Sequence, residues 1–279
     1  MSTALSQPRT VSRRLRGQAT SDGAGVSLTR VIGTPQLSYL DPFLMLDEFG
    51  SDRPGDYIAG FPSHPHRGFE TVTYMLDGRM RHKDNHGNEG LMTAGSVQWM
   101  TAGRGIVHSE MPEQEQGLMR GFQLWVNLPA RDKMGDPRYQ EFDAGKIPQV
   151  QPAPGVSVKV IAGQVGDTAG PVQQPATEPL YLDVALQEGA VFEQRIPAGH
   201  NAFVYVYEGA LVDAGKGELV AFGEGEGDGV RLVGKAASTR AILVAGKPLG
   251  EPVARYGPFV MNTQAEIMQA VQDFQAGRF

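Results

Sequence analysis

Cysteine is absent from the 279-residue sequence. That excludes a disulfide scaffold, a thiol nucleophile, a cysteine-ligated zinc finger and an iron–sulfur cluster. The absence also fits a reducing compartment, so a cytoplasmic protein is the expectation. Positive charge is scarce: 25 Lys and Arg against 31 Asp and Glu leave a formal charge of −6. Direct nucleic-acid binding requires a basic domain and is therefore not expected. No apolar run approaches the ~18 residues that span a bilayer, so no membrane partner is expected. The cluster Arg13, Arg14 and Arg16 is followed by no apolar core, which separates it from a secretory signal.

Turn formers are plentiful. Glycine (36) and proline (19) make up about a fifth of the chain, against ~12% in an average protein. Such punctuation suits many short strands joined by tight turns, and the fold class expected is all-β. The run FETVTYML (69–76) alternates in the manner of a strand, and Asp77-Gly78 supplies a hairpin turn. GFQLWVNL (121–128) is a further strand. After the proline-rich stretch KIPQVQPAPG (146–155), strands resume at 156–161, 180–186, 203–207 and 241–244. Residues 197–209 loosely echo 65–78, which suggests a second domain of the same kind. The expected division is 1–147 and 148–279. A helix over 263–276 follows from Thr263 and Glu266 as a capping box, with Ile267, Met268, Val271 and Phe274 on one face.

Five of the six histidines (64, 66, 82, 86 and 108) fall within 45 residues. His64 and His66 are spaced i, i+2, and so are His108 and Glu110. In an extended strand such pairs emerge on one face, roughly 6.6 Å apart. Two pairs on neighbouring strands can converge on one point, and three imidazoles with a carboxylate suit a divalent transition metal. Scattered polar surface residues would be the bland alternative. It fits a single His-x-His far better than two paired motifs in one β region. His82 and His86 fall at a polar hairpin tip and are expected in solvent. His200 stands alone. Gly103-Arg104-Gly105 precedes no helical pattern and reads as a turn rather than a phosphate loop. The acid–glycine alternation of 223–229 lacks EF-hand spacing and reads as an exposed turn.

The segments FPSHPHRGFETVTYMLDG (61–78) and QWMTAGRGIVHSEMP (98–112) resemble the signature segments of the pirin family, a two-domain branch of the cupins. The likeness continues in DPFLMLDEF (41–49), LWVNLPA (124–130) and GPFVMNTQAEI (257–267), and so spans nearly the whole chain. The resemblance implies two jelly-roll barrels with a short terminal helix. It also implies one metal, Fe(II) first and copper, nickel, manganese or zinc as substitutes, in the N-terminal barrel. The ligands carried over are His64, His66, His108 and Glu110. The general cupin pattern would draw its carboxylate from Glu70 instead. Pirin spacing assigns Glu110 and leaves Glu70 a supporting role. Aligning Gly209 on Gly78 places Arg195, Pro197 and Asn201 at the positions of His64, His66 and Glu70, so the second barrel is expected to lack a metal.

Two functions follow from the resemblance. One is a dioxygenase like quercetin 2,3-dioxygenase, which opens a flavonol or a related enolisable aromatic with O2. Glu110 would then be the general base that takes the substrate's proton. The other is a metal- or redox-sensing regulator that binds a transcription factor or a metabolic enzyme without catalysis. The same four residues serve both, and a monomer is expected in either case.

Overall fold

The structure, a computed structural model, describes residues 5–223 and 227–279. They form two compact units that exchange their chain ends. One comprises Gln18–Ala144 with Leu249–Phe279, the other residues 5–17 with 145–248. The boundary near 145 lies beside the expected one, but the termini do not follow it. The helix assigned by sequence to the second domain folds with the first, and the N-terminal strand Val11–Arg16 joins the second. Hydrophobic alternation is a local signal. It says that a segment is a strand or helix, not which sheet it completes.

The first unit is an antiparallel barrel of two sheets. Its larger sheet runs Arg138–Phe142, Val97–Thr101, Phe69–Asp77, Met119–Asn127, Phe43–Ser51, Val26–Ile32 and Gln18–Asp22. The smaller runs Phe61–His66, Ile106–Pro112, Arg79–Asp84 and Glu89–Thr93. Residues 69–75 are buried throughout, so this strand is covered on both faces. Met75, Met80, Met92 and Met119 fill the barrel with Val26, Leu28, Phe49 and Tyr57. Flexible thioethers suit the irregular space between two sheets.

The C-terminal arm adds the hairpin Ala254–Tyr256/Phe259–Met261 and the helix Gln264–Gln275. Thr263 and Glu266 form the expected capping box. Ile267 and Ala270 are buried against Phe259 and Met261, whereas Met268, expected on the same face, is 58% exposed. Gly68 (φ +87°) lets the arm approach closely, because a Cβ there would stand 2.0 Å from the Val260 carbonyl oxygen. Buried Lys133 ties the same place together, donating from Nζ to Gly68 (2.7 Å), Asn127 (2.6 Å) and Val260 (3.0 Å).

The second unit repeats the plan. Glu218–Phe222, Asn201–Glu208, Thr239–Gly246 and Leu180–Leu186 take the order that Val97–Thr101, Phe69–Asp77, Met119–Asn127 and Phe43–Ser51 take in the first. Its core is almost wholly Val, Leu, Ile, Phe and Ala. Among the described residues no helix is long and apolar enough to cross a membrane.

Candidate metal centre

The strand Phe61–His66 runs antiparallel to Ile106–Pro112, with His66 opposite Ile106 and His64 opposite His108. The i, i+2 spacing therefore delivers His64 and His66 to one face, and the register brings His108 beside them. The three rings lie 4.5–5.0 Å apart between centroids. One nitrogen of each falls within 4.8 Å of the others. Among the described residues this is the one cluster of three or more such groups that could hold an ion.

His66 and His108 are 2% and 1% exposed, and none of their ring nitrogens has a hydrogen-bond partner. The Pro258 carbonyl lies near His66 and favours its charged form without making an aligned bond. Buried polar atoms are nearly always satisfied, so converging orphan nitrogens are a site in want of an electrophile. Burial, and then the neighbouring imidazoles, push both histidines well below the ordinary value, which leaves them neutral with lone pairs available. His64 Nδ1 lies 2.8 Å from the Pro62 carbonyl, which makes it the donor and frees Nε2. The donor set fits a divalent transition metal.

Glu110 is buried on the same strand as His108 but stands outside the imidazole cluster. Between His108 and Glu110 the register slips, placing Glu110 opposite Phe61. Its Oε1 accepts from Thr73 at 3.1 Å and its Oε2 from Gln123 Nε2 at 3.5 Å. Burial raises its pKa, opposed by His64 and by the Thr73 bond. Glu70 is fully buried in the neighbouring sheet and accepts from Thr101 at 2.7 Å.

His82 does not lie in solvent. It is 1% exposed, opposite Glu110 in the Arg79–Asp84 strand, with Nε2 2.7 Å from Glu141 and its ring beside Tyr139. The hairpin is longer than its polar composition suggests, and only its 85–88 tip turns in solvent. His86 is exposed there. His200 lies in the other unit, buried 3.9 Å from Glu178. At the position equivalent to the His64–His108 pairing, the second unit pairs Arg195 with Gly229, and Arg195 holds Asp228 at 2.8 Å. Gly103-Arg104-Gly105 is a turn leading into a strand. Of the 223–229 stretch, residues 224–226 lie outside the described residues.

A cleft of about 580 Å³ opens above the cluster, lined by His64, His66, Glu110, Gln123, Trp125 and Arg255 among others. Sequence reasoning missed Thr73, Gln123, Trp125 and Arg255. Thr71 and Thr73, alternating with Val72 and Tyr74 in a buried strand, were the available signal for a polar group inside the barrel. Arg255 is too distant in sequence to leave one.

A pair of jelly-roll barrels, one with an imidazole triad on two paired strands of its smaller sheet, defines a two-domain cupin. The pirin family profile matches residues 25–126, and that of the pirin C-terminal cupin domain matches residues 181–279. A pirin-like protein of Caulobacter vibrioides is 56% identical, over 97% of this chain and 99% of its own. Human pirin is 46% identical, over 91% of this chain and 88% of its own. The structure is also similar to that of quercetin 2,3-dioxygenase from Acinetobacter baumannii, with a TM-score of 0.90, 34% identity and 98% of both chains covered. The chain belongs to the pirin family.

Proposed function

We propose that this chain is a metal-dependent dioxygenase of the quercetin 2,3-dioxygenase type, opening a flavonol-like enolisable substrate with O2. The observation that carries the reading is the convergence of three imidazoles, of which the buried His66 and His108 have no hydrogen-bond partner, beneath a cleft that also holds a buried carboxylate. Iron(II), or copper, nickel, manganese or zinc, held by His64, His66 and His108, would acidify an enol hydroxyl. The cleft volume lies in the range that encloses a small organic molecule.

Glu110 takes the proton. Its place outside the imidazole cluster favours the role of base over that of full-time ligand, although it lies near enough to His64 for the two to interact electrostatically. Thr73 and Gln123 hold the carboxylate in place, so the acceptor is oriented before the substrate arrives. Trp125 and Phe69 pack edge-on against His66 and keep its ring from turning. The similarity to the Acinetobacter baumannii enzyme supports the same substrate class.

The test is anaerobic reconstitution with Fe(II), followed by oxygen uptake with quercetin. Uptake coupled to loss of the flavonol, well above that of free iron, is expected. A metal-replete protein that consumes no oxygen would favour the regulator, in which the same centre is read by a protein partner.

A further inference from the structure

The cleft holds two arginines, and they are not equivalent. Arg30 is bidentate to Asp47, with Nε–Oδ1 2.9 Å and Nη2–Oδ2 2.7 Å, and Nη2 also reaches Asp22 at 2.8 Å. Its charge is matched twice over. Arg255 belongs to the short strand Ala254–Tyr256 and is exposed at the cleft wall. Its guanidinium carbon lies 4.8 Å from the centre of the Trp125 ring. Among the described residues the guanidinium's single hydrogen bond is a long one, 3.4 Å to the Leu44 carbonyl, and Asp47 and Asp22, which are bonded to Arg30, act on it only from beyond ion-pair distance. An indole face holds a guanidinium by cation–π attraction without using its N–H groups. Arg255 is thus a fixed, planar fork of donors with most of its capacity unspent.

Its distance from the metal centre has a chemical meaning. Trp125 stands 5.3 Å from the His66 ring, centroid to centroid. The two contacts in series put the guanidinium within roughly 10 Å of His66, a span that a planar aromatic molecule of two or three rings can bridge. An arginine fork matches a planar oxyanion better than any neutral group.

We propose that Arg255, backed by Trp125, determines specificity by binding an anionic group, a carboxylate or ionised phenol, on the ring of the substrate remote from its enol. Which end meets the histidines rests on the dioxygenase reading above; the demand for an anion rests on the cleft itself. A simple neutral flavonol then fills the cleft without satisfying Arg255.

The experiment compares two probes, 3-hydroxyflavone and 4′-carboxy-3-hydroxyflavone, by calorimetric titration of the full-length protein loaded with zinc, which is redox-silent. The carboxylated probe should bind roughly tenfold or more tightly, the effect of one hydrogen bond between charged groups. The preference should shrink at high salt, vanish in Arg255→Gln and survive in part in Arg255→Lys. Equal affinities, a preference that persists in Arg255→Gln, or binding of neither probe would overturn the proposal. Oxygen uptake by the iron-loaded protein with each probe judges the other reading separately. Uptake without a charge preference removes only the role of Arg255, and a preference without uptake removes only the dioxygenase.

Discussion

Removing the Asp273 carboxylate should cost the first unit about 3 kcal/mol. Arg67, next to His66 in sequence, is 3% exposed. Its Nη1 donates to Asp273 at 2.6 Å, its Nε to the Arg104 carbonyl, and its guanidinium lies 4.3 Å from the Phe279 ring. Asp273→Ala leaves that buried cation without its anion, a loss that typically costs ~3–5 kcal/mol. The lower end applies because Asp273 itself is 13% exposed and is shared with solvent-facing Arg278. At ~2–4 °C per kcal/mol for a unit of this size, Tm should fall by about 6–12 °C. Asp273→Asn keeps an acceptor and should lose only ~1–2 kcal/mol. Replacing both partners, as Arg67→Met with Asp273→Ala, should recover most of the loss.

The pH dependence has a definite sign. The bonds from Arg67, then from Arg278 and Gln269, hold the Asp273 carboxyl well below its ordinary value of 3.8. A depressed folded pKa gives stability that is whole above the unfolded value and is lost as pH falls toward the folded one. The advantage of wild type over Asp273→Asn should therefore be constant from pH 7 to about 5 and shrink below about 4. Thermal unfolding followed by circular dichroism reads all four proteins. An Asp273→Ala protein within ~0.5 kcal/mol of wild type would show that the buried Arg67 does not depend on this carboxylate.

His66→Ala should abolish stoichiometric metal binding, which elemental analysis of the purified protein would show as a fall from about one ion per chain; unchanged content would remove His66 from the ligand set. Thr263→Ala should destabilise by ~1 kcal/mol through loss of the capping box, visible as faster amide exchange over 264–268. Gly68→Ala should be far more costly than an ordinary surface change, because its Cβ meets a backbone carbonyl rather than a side chain that can yield; a Tm within 2 °C of wild type would contradict the close approach.

Strand identity was legible because alternation and turn residues are local. The run 180–186 coincides with Leu180–Leu186, whereas Asp77-Gly78 ends its strand with Gly78 at φ +86° but closes no hairpin, because Phe69–Asp77 and Arg79–Asp84 lie in different sheets and do not pair. The pairing of His64 with His66 was legible for the same reason, since i, i+2 on a strand fixes the face, while His108 joined them through the family resemblance, because the register that sets it opposite His64 is not local. What escaped depended on distant partners. His82 looks like a hairpin-tip residue until the strand Arg138–Phe142 brings Tyr139 and Glu141 over it. Met268 satisfies the helical period, yet the buried stripe centres on Ile267 and Ala270. Arg255 reaches the cleft only because the C-terminal arm returns to the first unit, a topology that no local pattern encodes.

The proposed dioxygenase role is tested by separating metal retention from turnover in Glu110→Gln. Three imidazoles remain to hold the ion, while an amide cannot accept the substrate's proton. The variant should bind iron at close to the wild-type stoichiometry yet consume oxygen with quercetin ~10²–10⁴ times more slowly. Equal turnover in the two iron-loaded proteins would contradict the assignment of Glu110 as the base, and no turnover in either would contradict the dioxygenase.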